Sequence, residues 1–247
     1  MDRREILNEL LKMLTTHLKL HEKFGDDYES DRRLFRAICN VTLSLNGIDE
    51  RFYLLQDELL SLEREEKGVV DINKLKFKNN ISLFKGDITR LNADAIVNAA
   101  NEEYLGCFIP LHNCIDNIIM SASGFQMREE LLKQRGNGES VKVTKGYNLP
   151  CKFVFHVAGP EIITKVSAED EKKLASCYEN CLKKAVEINL KSIAFCCIST
   201  GVYSFPNELA CKIAVKTVKE FLKTHNIKVV FDVFKDYDEV LYEKELQ

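Results

Sequence analysis

The apolar residues of this 247-residue chain follow two different periods, and the change falls near residue 75. Before it they recur at intervals of three and four. Ile6, Leu10, Leu14 and Leu18 form one stripe, Leu34, Ile38, Val41 and Leu45 a second, and Phe52, Leu55, Leu59 and Leu62 a third. Such spacing puts residues on one face only in a helix. FGDDYESD and LNGIDE break the stripes with turn formers, and Ser30, Asp31 and Asp49 are the expected N-caps. The expectation is a bundle of about three short helices, which must dock on something larger to bury its stripes. No residue in this part suggests chemistry.

Beyond the charged connector EREEKGVVDINKLKFKNN, short apolar runs alternate with helical stretches. ISLFKGDI, DAIVNAA, ESVKVTKGYNLP, KFVFHVAGP, SIAFCCIST and KVVFDVF read as strands. Residues 113–134 read as one or two helices, 168–189 and 207–224 as further helices, and a last helix starts near Asp236. This alternation implies an α/β domain whose sheet is covered on both faces. The division is therefore an N-terminal helical extension, residues 1–74, and an α/β domain, residues 75–247. In open α/β sheets, ligands bind beyond the carboxyl ends of the strands, so the loops after AIV and AFCCI are the places to look.

Composition narrows the function classes. A hydrophobic share of 45%, a charged share of 30% and a formal charge of -3 suit a soluble globular protein and argue against a nucleic-acid surface. No apolar run approaches membrane-spanning length, MDRREILNELLKM does not read as a signal peptide, and the expected compartment is the cytoplasm. Nine cysteines, an odd number without an export signal, argue for free thiols rather than a disulfide scaffold. Cys177 with Cys181, and Cys196 with Cys197, are expected in the core. His156 is expected in the core, and His17, His21 and His225 at the surface.

Four segments carry candidate chemistry. VNAAN leaves a strand with two amides: Asn101 can hold a hydroxyl or orient a water, or Asn98 and Asn101 can simply tie down the turn. ISTGVYSFP places small residues ahead of a helix, where free N–H groups can cradle a diphosphate, and Tyr203 and Phe205 can cover a sugar or base. It lacks the lysine of a P-loop and the glycines of the dinucleotide fingerprint. In FKGDIT, Asp87 ends a strand and can accept from an exocyclic amine or cap a turn. The fourth is C-x4-H-x-C. Cys107, His112 and Cys114 are the ligand types zinc prefers, Pro110 stiffens the span between them, and no fourth ligand is evident nearby. Three ligands with an open position is the pattern of a catalytic zinc. Cys114 also falls near a helix start, where the dipole is expected to lower its pKa.

GDIT, VNAAN, HVAGP and ISTGVYSFP occur in the order found in the macrodomain family, which binds ADP-ribose, and the chain resembles that family over roughly residues 75–247. YLGCFIPLHNCIDN stands where most members have a glycine-rich segment. In this the chain resembles the zinc-containing subclass, which carries an N-terminal helical extension and is known as bacterial and fungal protein-ADP-ribose hydrolases. The resemblance implies a three-layer α/β/α macrodomain with a central mixed sheet. It implies that Asp87 contacts the adenine amine with Ile88 nearby, and that Ser199, Thr200, Gly201, Val202 and Tyr203 wrap the diphosphate. Ile115, Asp116 and Asn117 would meet phosphate and distal ribose, Asn101 would hold that ribose, and Cys107, His112 and Cys114 would hold zinc beside it. The expected activity is zinc-dependent removal of mono-ADP-ribose from acidic side chains of a protein, with Asn101 and Asp116 as catalytic candidates. Some members are associated with a sirtuin-type transferase that modifies a lipoyl-carrier protein, which is the partner implied by analogy. Neither nucleic acid nor membrane is expected as a partner. The alternatives are a reader that binds ADP-ribose without cleaving it, an O-acetyl-ADP-ribose deacetylase and a thiol-based redox switch.

Overall fold

The computed structural model describes residues 1–25 and 27–247; Asp26, inside the expected turn FGDDYESD, lies outside the described residues. Three helices come first: α1 (Arg3–Leu18), α2 (Tyr28–Val41) and α3 (Arg51–Lys67). Asp2 and Glu5 form a capping box on α1. The cap of α2 is Asp27, whose side chain accepts from the Ser30 amide at 2.9 Å, so neither Ser30 nor Asp31 takes that role. Asp31 is instead buried and accepts from the Gly25 amide. Asp49 lies one residue before the helical cap position of α3 and accepts from the Arg51 amide. Two stripe residues are also corrected: Val41 is 51% and Leu62 37% exposed, while Phe35 is buried in the bundle and Leu60 is buried at the seam with the α/β domain. Leu62 ends its stripe, and Val41 is the last residue of α2, where the chain leaves the helix before Leu45 turns back into the core.

The remaining elements are β1 (Ile81–Lys85), β2 (Ala95–Ala99), α4 (Ile115–Ser123), α5 (Gln126–Lys133), β3 (Lys142–Lys145), β4 (Phe153–Val157), α6 (Ala168–Glu187), β5 (Ser192–Phe195), α7 (Asn207–Phe221), β6 (Lys228–Val233) and α8 (Asp236–Leu246). The sheet order is β1-β6-β5-β2-β4-β3, parallel except for β3 on β4, so the mixed sheet is as expected. Side-chain alternation assigns the two faces. Phe195 and Phe231 are neighbours in the sheet and meet Tyr178 of α6 and Tyr242 of α8. Asn98, one residue past Val97 in the Phe195 row, faces the other way and bonds to Asp116 of α4. Helices thus cover both faces, giving three layers. No described helix is long and apolar enough to cross a membrane.

The helical extension has its own core, and that core includes Phe125 from the α4–α5 turn. Its amide donates to the buried Gln56 of α3 at 2.9 Å. Arg128 of α5 makes the stronger tie. Its buried guanidinium donates to the carbonyls of Cys39 (2.6 Å), Asn40 (3.1 Å) and Thr42 at the end of α2, and to Leu105 (2.8 Å) in the loop after β2. Helix ends leave carbonyls unpaired and carry partial negative charge, and α2 has no basic residue in its own last turn. Arg128 supplies that cation from the α/β domain.

Replacing Arg128 by methionine keeps the bulk and strands these carbonyls. The expected loss is about 3 kcal/mol or more, or roughly 6–12 °C in Tm for a chain of this size. Thermal melts check it, and hydrogen exchange should rise first at Leu105 and the end of α2.

Candidate functional site

The carboxyl ends of the parallel strands place the candidate residues in a line. Along the sheet edge, β1 delivers Asp87, β6 delivers Phe234, β5 delivers residues 199–203, and β2 delivers Asn101 and the loop to Cys114. At about 4.8 Å per strand, the four strands span roughly 14 Å.

At the β1 end, Asp87 caps a short 3-10 turn, Ile88–Arg90, accepting from the Thr89 amide at 2.9 Å and its hydroxyl at 2.6 Å. The cap role is therefore real, and the second carboxylate oxygen lies 4.0 Å from the Lys67 ammonium. Ile88 buries its side chain, and its N–H finds no acceptor among the described residues. Two neighbours on β6 escaped the sequence reading. Phe234 is 79% exposed at the strand's carboxyl end, a ring with nothing covering it. Asp232 is buried, with an oxygen that has no partner among the described residues. Burial, and secondarily the charge of Asp87, pushes its carboxyl up to about 9. The one available signal was an acid inside the apolar run KVVFDVF.

The β5 loop is a nest. The N–H groups of Gly201, Val202 and Tyr203 find no acceptor among the described residues, while Phe205 donates back to the Ser199 carbonyl at 3.0 Å and closes the loop. Ser199 holds a left-handed backbone, φ 65°, and its buried hydroxyl is unpartnered among the described residues. This packing explains the glycine of HVAGP: a Cβ at Gly159 would lie 2.1 Å from the Ser199 hydroxyl. Thr200 bonds back to the Cys197 carbonyl, Val202 is exposed, and Tyr203 is half-buried and accepts through its carbonyl from Ile162. Phe205 was expected as a possible cover for sugar or base. It turns inward instead, fully buried among the residues of the sheet core, because the loop needs an apolar anchor where it rejoins α7.

The loop after β2 brings Cys107, His112 and Cys114 together, with their ligand atoms within 4.8 Å of one another and Cys107 Sγ 3.4 Å from His112 Nδ1. Tetrahedral zinc with bonds of about 2.0–2.3 Å holds its ligands about 3.3–3.8 Å apart, so small side-chain movements close the gap. No further histidine, cysteine or acid joins the group among the described residues, which leaves one position free. The donor set fits zinc. Cys114 is the N-cap of α4 and accepts from the Asn117 amide at 3.4 Å. Its thiol is nevertheless pushed up to about 12, first by burial and also by Cys107 beside it. The expected lowering by the helix start loses to desolvation. A half-buried Cys114 thiol that resists ionisation beside a second sulfur would be stabilised as thiolate by a cation.

The helical extension holds this loop. The Leu111 amide donates to Asn40 Oδ1 at 3.0 Å, and Arg36 donates to the His112 carbonyl at 2.9 Å. Leu111 has φ 57°, a conformation costing about 1–2 kcal/mol for a non-glycine residue, so its bond to Asn40 matters. Arg36 and Asn40 were invisible in the sequence because nothing local marks them.

Asn101 serves the turn. Its amide donates to the Gly106 carbonyl at 3.0 Å, and its oxygen accepts from Glu103 and Tyr104, each at 3.1 Å. Ile115 is half-buried at the first position of α4, where its N–H and that of Asp116 are free among the described residues. Asp116 is buried, accepts from Asn98 at 2.7 Å, and is pushed up to about 6 by burial. Asn98 also meets His156 Nδ1 at 3.0 Å, and His156 Nε2 meets the Thr144 hydroxyl at 2.9 Å. Full burial drops His156 to about 3, so it is a neutral core histidine. Asn117 is buried with its side chain committed to Arg36 (2.7 Å) and the Ile109 carbonyl (3.0 Å), so it shapes the loop that carries Cys107, His112 and Cys114.

Residues 97–214 match the Macro domain family. A protein-ADP-ribose hydrolase of Staphylococcus aureus (strain MSSA476) is 45% identical over 238 residues, covering 92% of this chain and 87% of that protein. A protein-ADP-ribose hydrolase of Treponema medium is 40% identical over 232 residues, covering 89% and 88%. Among solved structures, a Trypanosoma brucei macrodomain in complex with ADP has a TM-score of 0.65 at 26% identity, covering 98% of this chain and 96% of its own. An Oceanobacillus iheyensis macrodomain with ADP has a TM-score of 0.61 at 34% identity, covering 67% and 89%.

Asp232 generates a stability prediction. It keeps its proton to about pH 9 when folded, whereas an unfolded aspartate loses it near 3.9. Folding therefore takes up a proton between these values, and stability falls as pH rises through that window. Asp232→Asn removes the loss. Its Tm should exceed wild type at pH 8 by at least about 1 kcal/mol, roughly 2–4 °C, with the difference shrinking toward pH 4. A gap that does not change between pH 4 and pH 8 in thermal melts contradicts this account.

Proposed function

The chain belongs to the macro domain family, and on that premise we propose that it is a hydrolase that removes mono-ADP-ribose from acidic side chains of a modified protein. The observation that carries the reading is the strand order. It lays Asp87 with the exposed Phe234 ring, the free N–H groups of Gly201, Val202 and Tyr203, and the Cys107–Cys114 loop along about 14 Å of sheet edge. That is the sequence adenine, diphosphate, distal ribose, read from one end of ADP-ribose to the other. The relatives at 40–45% identity that bear the name protein-ADP-ribose hydrolase support it.

In this reading Asp87 accepts from the adenine amine, the Ile88 N–H donates to the ring, and Phe234 stacks on it. The N–H groups of Gly201, Val202 and Tyr203 take the diphosphate, with those of Ile115 and Asp116 at the start of α4. Cys107, His112 and Cys114 would hold zinc, which would supply Lewis acidity near the distal ribose. Asp116, fixed by Asn98, accepts a proton or a ribose hydroxyl there. Asn101 shapes the loop that presents the ribose. Overall, water adds across the ester at ribose C1″: the target side chain leaves as its carboxylic acid and ADP-ribose is freed with a C1″ hydroxyl.

Protein purified without chelators should carry about one zinc per chain by elemental analysis, and Cys107→Ala and His112→Ala should lose it. Release of ADP-ribose from a mono-ADP-ribosylated protein should fall at least ~100-fold, about 2.7 kcal/mol, while cooperative unfolding persists. Wild-type turnover by zinc-free Cys107→Ala removes the metal from the reaction. Tight ADP-ribose binding with no turnover by the zinc-loaded wild type makes the protein a reader instead.

A further inference from the structure

The seam between the helical extension and the α/β domain contains a cavity of about 120 Å³ that none of this chemistry uses. Its charged lining is Arg32, Arg36, Glu63, Arg64, Lys67 and Arg90. Glu63 is committed to Arg32 by a two-pronged pair at 2.6 and 2.9 Å. Among the described residues, Arg36, Arg64 and Arg90 have no acid of their own, and Lys67 has one loose partner. Arg36 is held by Asn117 Oδ1 and the His112 carbonyl, Arg64 by the Asn148 carbonyl at 2.8 Å, and Arg90 by the Gly68 carbonyl at 2.9 Å. Lys67 has only Asp87, 4.0 Å away. Carbonyls aim a guanidinium without cancelling its charge, so these contacts gather four positive charges in one half-enclosed space. Neighbouring cations raise one another's free energy, and an anion relieves that cost.

The cavity is separate from the line of loops at the sheet edge. Helix α4 stands between them, turning Asp116 and Ile119 toward the sheet while Ile118, Ser121 and Ala122 line the cavity. One end is Arg36, on the His112 carbonyl of the metal loop; the other is Lys67, beside Asp87. It therefore runs alongside the proposed ADP-ribose groove, from the Asp87 end to the His112 end where the modified side chain must sit. Its volume is below the roughly 300 Å³ of small-molecule sites, so it suits carboxylate groups rather than a second nucleotide.

Resting on the hydrolase reading, we propose that this basic cleft grips acidic side chains of the modified substrate protein that flank its ADP-ribosylated residue. The helical extension then contributes directly to substrate choice: α2 and α3 supply Arg36, Arg64 and Lys67.

The test compares two substrates, a mono-ADP-ribosylated protein with acidic neighbours and an ADP-ribosyl ester of a single amino acid. Arg64→Glu and Arg90→Glu should raise KM for the protein about tenfold each, leaving kcat and both constants for the small ester within about twofold, and Arg64→Lys should keep most of the wild-type KM. An unchanged protein KM, or an equal rise for both substrates, overturns the proposal. Should the reversals fail to fold cooperatively, the wild type decides. Between about 0.05 and 0.5 M salt the protein KM must climb more steeply than that of the small ester, and parallel curves overturn the proposal. A wild type that turns over neither substrate fails as a hydrolase; the cleft is then judged by whether salt weakens its binding of the modified protein more than its binding of free ADP-ribose.

Discussion

One buried cation organises the molecule. Among the described residues the Arg128 guanidinium has no carboxylate bonded to it and is satisfied almost wholly by carbonyls: three from the end of α2 and one from the loop after β2. A charge taken out of water survives only where its donors are nearly all used, and here the negative end of a helix adds a favourable field. Because these carbonyls belong to different parts of the chain, the arginine fixes the helical extension against the domain and the loop against both. The rings of Phe108 and Phe125 lie 4.6 and 5.6 Å from it and close the pocket with apolar, electron-rich faces. The bonds from Asn40 and Arg36 to the loop that carries Cys107, His112 and Cys114 depend on that placement of α2.

In the loop of Cys107, His112 and Cys114, two opposing effects on one thiol can be ranked. The helix start and its N–H bond favour the Cys114 thiolate, while burial and the neighbouring Cys107 disfavour it, and the second pair wins. The same ranking holds for Asp116, where one hydrogen bond from Asn98 does not outweigh burial. A site built of groups that resist charge in the absence of a cation is matched to a positive partner in a way that surface ligands are not. Asp232 follows the same ranking: burial, and secondarily the charge of Asp87, keeps its carboxyl neutral.

The α/β alternation was readable because each strand and helix carries its own period, and all six strand segments and the helices between them appear where those periods place them. Cys107, His112 and Cys114 were readable because eight residues of chain hold all three. The side chains with two plausible uses were not. Asn101 and Asp87 each spend hydrogen bonds on their own turn, and Phe205 is an anchor. Local sequence cannot separate a turn-forming amide from a ligand-binding one, since the donor and acceptor atoms are the same. Phe234 and Asp232 were missed because a strand pattern does not say where the strand stops or which face is covered.

By itself, the sequence determined the two grammars, the element order and the cluster of metal-ligand types, because periodicity and short spacing are properties of the chain alone. Tertiary structure decided the rest. It put β6 and β5 between β1 and β2, which sets the length and order of the binding edge. It carried Arg36 and Asn40 across more than 70 residues to the loop they hold. It gathered Arg36, Arg64, Lys67 and Arg90 around one cavity. These are matters of which surfaces meet, and a hydrogen bond or a shared field between distant residues leaves no period in the sequence.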